Sequence, residues 1–126
     1  MLESAKLIAF IPTRDPQAAK QFYEHTLKLQ FVSDDGFALV FDAAGTMVRI
    51  ANVSGVTGFR PAPFTILGWH VADVDLAVKK LAASGVVFER FAGLDQSPAG
   101  IWTSPSGARI AWFKDPDGNV LSISGT

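Results

Sequence analysis

Apolar and polar residues alternate in short bursts along this chain, and the bursts come in the same order twice. Leu7–Ile11 is an apolar run of strand length. Asp15 then reads as a helix N-cap, with Pro16 in the first helical turn, where its missing N–H costs nothing. Ala19, Phe22, Tyr23, Thr26 and Leu27 follow at spacings of three and four, the signature of one buried helical face. Gln30–Ser33 and Phe37–Asp42 are predicted strands around the Asp34-Asp35-Gly36 turn, and Ala43-Ala44-Gly45 turns the chain into Thr46–Val53.

Ser54–Pro63, with its Gly and Pro residues, reads as a linker, and after it the pattern restarts. Ile66–Val71 is a predicted strand. Asp73 caps a helix whose buried stripe is Val74, Val78 and Leu81, and Gly85 supplies the left-handed stop. Val86–Phe91 is expected to be a strand and Ala92–Ala99 a polar loop able to cover a site. Gly100–Thr103 and Arg109–Phe113 flank the Ser104–Gly107 turn, and Asp115-Pro116-Asp117-Gly118 makes a second tight turn before Asn119–Ser124. The prediction is an α+β fold of two tandem βαβββ modules, about 5–53 and 64–126, within a single domain. Two such sheets side by side form a half-open barrel whose hollow is the natural ligand site.

Composition narrows the chemistry. At 126 residues the chain is long enough for a core without staples, and it has no cysteine for disulfides, thiolate ligands or thiol nucleophiles. With 11 basic and 12 acidic residues, no nucleic-acid or anionic-membrane partner is expected. No signal-like start or bilayer-length apolar run is present, so a cytoplasmic location is the expectation. The apolar content is 48%, with three Trp and ten Phe, which points to a subunit interface or a ligand cavity beyond the core itself.

Three stretches resemble the vicinal oxygen chelate superfamily of glyoxalases, bleomycin-resistance proteins and extradiol dioxygenases. They are Arg14-Asp15-Pro16 leading to Phe22-Tyr23, Val71-Ala72-Asp73-Val74-Asp75, and Phe113-Lys114-Asp115-Pro116-Asp117-Gly118-Asn119. The resemblance spans essentially the whole chain and implies the glyoxalase/bleomycin-resistance fold and a homodimer. Lys28 stands where the family usually has a glycine after the first helix. In metal-dependent members each module supplies one ligand from its first strand and one from its last, usually His or Gln and then Glu. The matching positions here are Ile8, Arg49, Ile66 and Ser122. None is a usual donor to a divalent cation, and one is itself a cation. A one-residue slip at the first strands brings in Leu7 or Ala9, and Thr65 or Leu67, and restores no ligand. No metal or other cofactor is therefore expected.

Alternation drafts the face that replaces the metal site. With Ile8 and Ile66 pointing inward, Phe10, Pro12, Gly68 and His70 do too, while Leu7, Ala9, Leu67, Trp69 and Val71 pack under the helices. Met47, Ala51, Val120 and Ser124 join Arg49 and Ser122 on the inner side. Arg49 either grips an anionic ligand group or pairs internally with an acid such as Glu89 or Asp42. His70 is either a general acid–base group or a histidine capping the turn into Asp73. Trp102 is the better aromatic wall for a ligand, and Trp112 belongs to the core or a dimer interface. The face on which Arg109 lies is left open, and His25 is expected at the surface. The favoured expectation is a metal-independent binding protein holding an apolar or aromatic, neutral or anionic, small molecule against Ile8, Phe10, Met47, Arg49, Ile66, His70, Trp102 and Ser122. The alternative is an enzyme of the glyoxalase or dioxygenase type with His70 and Arg49 as catalytic groups.

Overall fold

The computed structural model describes every residue from Met1 to Thr126. The chain divides into two compact units, Met1–Arg60 and Pro61–Thr126. Each is a βαβββ module with one open four-stranded mixed sheet. No helix is long and apolar enough to cross a membrane.

In the first unit β1 (Ile8–Thr13), α1 (Pro16–Gln21), β2 (Gln30–Asp34), β3 (Ala38–Ala43) and β4 (Thr46–Asn52) build a sheet in the order β1-β4-β3-β2. β1 runs parallel to β4, and the other pairs are antiparallel. The Asp15 carboxylate accepts the Ala18 amide at 3.1 Å, as the cap requires. Ile11, Phe41, Val48 and Ile50 are buried on one face of the sheet together with Ala19 and Tyr23, and Tyr23 and Phe31 both pack on Phe41.

The helical stripe beginning at Ala19 does not continue as one regular helix. Phe22–Thr26 widens into a π-helical turn, in which the Leu27 amide donates to the Phe22 carbonyl five residues back. Lys28 then takes φ +63°, the left-handed conformation that the absent glycine would adopt without strain. Leu7, expected beneath the helix, is 75% exposed because it precedes the first ladder pair, Ile8 with Met47.

In the second unit β5 (Thr65–His70), α2 (Val74–Ala83), β6 (Trp102–Thr103), β7 (Arg109–Lys114) and β8 (Val120–Gly125) repeat the plan in the order β5-β8-β7-β6. Asp73 caps α2 by accepting the Leu76 amide at 3.0 Å. Trp69 and Phe88 pack on Phe113, with Leu121, Ile123 and Ala111 buried on the same face. Arg109 lies on this helix side too and forks onto the Asp75 carboxylate of α2 at 2.5 and 2.9 Å. That pair raises the Arg109 pKa and lowers that of Asp75.

Val86–Phe91 is not a strand. Phe88 bridges to Phe113 and the Glu89 amide donates to the Trp112 carbonyl at 2.8 Å, but the Glu89 carbonyl and the Phe91 amide go to the side chain of Gln96. β6 is likewise shorter than the expected Gly100–Thr103.

Candidate functional site

Each sheet has one face packed by its helix and one left open. On the first sheet, registers place Ile8 beside Met47, and Phe10 beside Arg49, which in turn lies beside Val40 of β3. Phe10 is 63% exposed, Ile8 45% and Met47 41%, although Ile11, Val48 and Ile50 on the helix side are almost fully buried. A depression of about 310 Å³ beside them is lined by Lys6, Leu7, Ile8, Asp42, Gly45 and Met47. Arg49 is the one cation on the strands of this sheet. Arg49 donates from Nη2 to Asp35 Oδ2 at 2.7 Å, so it is internally paired, with neither Asp42 nor Glu89 as its partner. Glu89 instead lies 3.6 Å from Lys114.

Asp35 sits in the β2–β3 turn, and its other oxygen accepts the amides of Phe37 and Ala38 at 3.0 and 2.9 Å. The Arg49 guanidinium, then the amides of Ala38 and Phe37, hold its carboxyl at about 2, below the ordinary 3.8.

On the second sheet, Gly68 pairs with Ser122 and His70 with Ser124, while Trp112 faces Ser122 across β7 and β8. Trp102 lies beside Ile110 on the same face. Both tryptophans therefore line the open face, and Trp112 is not a core residue. They pack 6.3 Å apart at 36°, and Phe91 meets Trp112 edge-on at 5.4 Å. A Cβ added to Gly68 would stand 2.5 Å from Ser122 Oγ, so the serine hydroxyl occupies the space that glycine leaves. Ile66 lies in a bulge between Thr65 and Leu67 and is half-buried. His70 is exposed at the end of β5, three residues before the Asp73 that caps α2. His25 is exposed on its helical turn.

The loop carrying Phe91 is organised by Gln96, a residue the sequence pattern did not single out. Its Nε2 donates to the carbonyls of Glu89 and Gly100, both at 2.9 Å, and its Oε1 accepts the Phe91 amide at 2.7 Å. Arg90 adds bonds to the carbonyls of Gln96, Ser97 and Pro98. Asp35 was overlooked as well, although an Asp in an Asp-Asp-Gly turn is a recognisable backbone acceptor. No local signal marks Gln96 or Phe91.

A model of the Glyoxalase/Bleomycin resistance protein/Dioxygenase superfamily matches residues 6–123, and the chain belongs to that superfamily. A superfamily member from Sphaerobacter thermophilus is similar in structure with a TM-score of 0.78 and 26% identity, each chain covered completely. Lactoylglutathione lyase from Agrobacterium tumefaciens has a TM-score of 0.72 at 18% identity, with 97% of this chain and 93% of that one covered. A superfamily protein from Nocardioides gives 0.71 at 19% identity, covering 98% of this chain and 83% of that one. No curated protein matches in sequence.

The residues present do not fit the metal that many members of such a family use. Ile8, Ile66, Arg49 and Ser122 offer two hydrocarbons, a guanidinium already paired and one hydroxyl. No group of three or more His, Asp or Glu side chains is placed to hold an ion.

Proposed function

We propose that this protein binds small apolar or aromatic molecules against the open faces of its sheets, without a metal. The supporting observations are an exposed apolar face on the first sheet, at Ile8, Phe10 and Met47, and an aromatic one on the second, at Trp102, Trp112 and Phe91. Ile8 stands at one position where metal-dependent relatives would carry a ligand, and Trp112 is the ladder neighbour of another, Ser122. Flat rings suit the tilted tryptophan pair, and Ser122 and His70 supply hydrogen bonds to a polar edge of the guest.

The enzymatic alternative requires Arg49 to stabilise an oxyanion, and its engagement with Asp35 counts against that. Homodimerisation and a cytoplasmic location belong to the same proposal, the former supported by exposed large side chains such as Phe37 and Val87. Quenching of Trp102 and Trp112 fluorescence by a panel of uncharged aromatics is the test. Dissociation constants below about a millimolar for some members, weakened by Trp102→Leu, are expected. Uniform failure of the panel defeats the proposal.

A further inference from the structure

The open face of the first sheet holds a cation whose charge is already answered. We infer that Asp35 is the specificity determinant of this face: by occupying Arg49 from a fixed position, it makes the face select uncharged apolar or aromatic molecules over carboxylates and other anions. This inference rests on the binding function proposed above.

Two features make Asp35 more than a surface partner. First, its carboxylate is positioned without help from Arg49. Oδ1 accepts the amides of Phe37 and Ala38, which leaves Oδ2 aimed at the guanidinium at 2.7 Å. An incoming anion must displace a tethered carboxylate, whose effective concentration exceeds that of a free ligand. It would also leave Asp35 unpaired beside it.

Second, no spare positive charge stands on the strands of this face. Asp42 shares the face two residues along β3 from Val40, the ladder partner of Arg49. Lys6 lines the depression, and Asp42 in the same lining balances its charge. An apolar floor of Ile8, Phe10 and Met47 with balanced charges rewards a neutral guest, and the built-in acid is a device against the wrong one.

A matched pair of probes, 2-naphthol and 2-naphthoate, tests this by equilibrium dialysis at neutral pH. The proteins are the full chain, Asp35→Asn and the double variant Asp35→Asn/Arg49→Met. Asparagine keeps an oxygen for the turn amides, and Asp35→Ser serves as a second variant with a shorter acceptor. The full chain is expected to favour the naphthol by about tenfold or more. Asp35→Asn should tighten naphthoate binding about tenfold while leaving naphthol unchanged, and the double variant should lose that gain. Equal affinity of the full chain for both probes, or an unchanged ratio in both Asp35 variants, overturns the inference while the binding function stands. Binding of neither probe to any of the proteins defeats the binding function and this inference together.

Discussion

Replacing Gln96 with methionine removes the clamp on the loop between α2 and β6 while keeping the side chain's length and most of its volume. Three bonds are lost: two donated to the Glu89 and Gly100 carbonyls and one accepted from the Phe91 amide. Gln96 and Gly100 are both buried, so the groups left behind are not all rehydrated. At about 1 kcal/mol per bond the expected loss is about 3 kcal/mol, a lower bound because stranded groups add to it. For a chain of this size each kcal/mol moves the melting temperature by about 4 °C, which gives a drop of about 12 °C. Because Phe91 would lose its anchor beside Trp112, the near-ultraviolet circular dichroism of the tryptophans should weaken well below the melting point. Scanning calorimetry and circular dichroism read both effects. A melting temperature within about 3 °C of the parent, with an unchanged tryptophan spectrum, would refute the reasoning.

Three further outcomes are expected. Lys28→Gly should raise stability to denaturant by about 0.5–1 kcal/mol, since glycine holds the φ of +63° without strain, and a loss would mean that the Lys28 bond to the His25 carbonyl outweighs backbone strain. Gly68→Ala should cost about 1 kcal/mol by forcing Ser122 Oγ aside, and Gly68→Ala/Ser122→Ala should recover most of it; additive losses would contradict the contact. Asp35 has a folded pKa depressed to about 2 from 3.8, so the stability it contributes is present above about pH 4 and disappears as pH falls toward 2. The stability gap between the parent and Asp35→Asn should therefore shrink across that window and shrink further in salt, whereas a gap widening on acidification would contradict the pairing.

Local rules were sufficient for the frame of this fold. Asp15 and Asp73 are capping residues by type and position, and both accept the third amide along. Strand alternation separated Ile8, Phe10, Met47 and Arg49 from Ile11, Val48 and Ile50, because the side-chain period in a strand is fixed by geometry. What escaped depends on partners far apart in sequence or on loop chemistry without a period. Val86–Phe91 has strand composition, but Gln96 takes the hydrogen-bonding groups that a ladder would need. Arg49 found its acid 14 residues away in a turn, a choice made by turn geometry that no strand pattern contains. The tryptophans illustrate the same limit. Alternation places Trp69 on the helix side, where it stacks on Phe113, whereas Trp112, expected in the core or a dimer interface, stands on the open face of its sheet beside Trp102.

The most direct test of the central claim is elemental analysis of protein incubated with zinc, nickel, manganese and iron(II) and then dialysed. With Ile8, Arg49, Ile66 and Ser122 at the positions where relatives place ligands, no stoichiometric divalent ion should remain, and a chelator should not alter the binding of 2-naphthol. One tightly held ion per chain, with aromatic binding lost on chelation, would contradict the account.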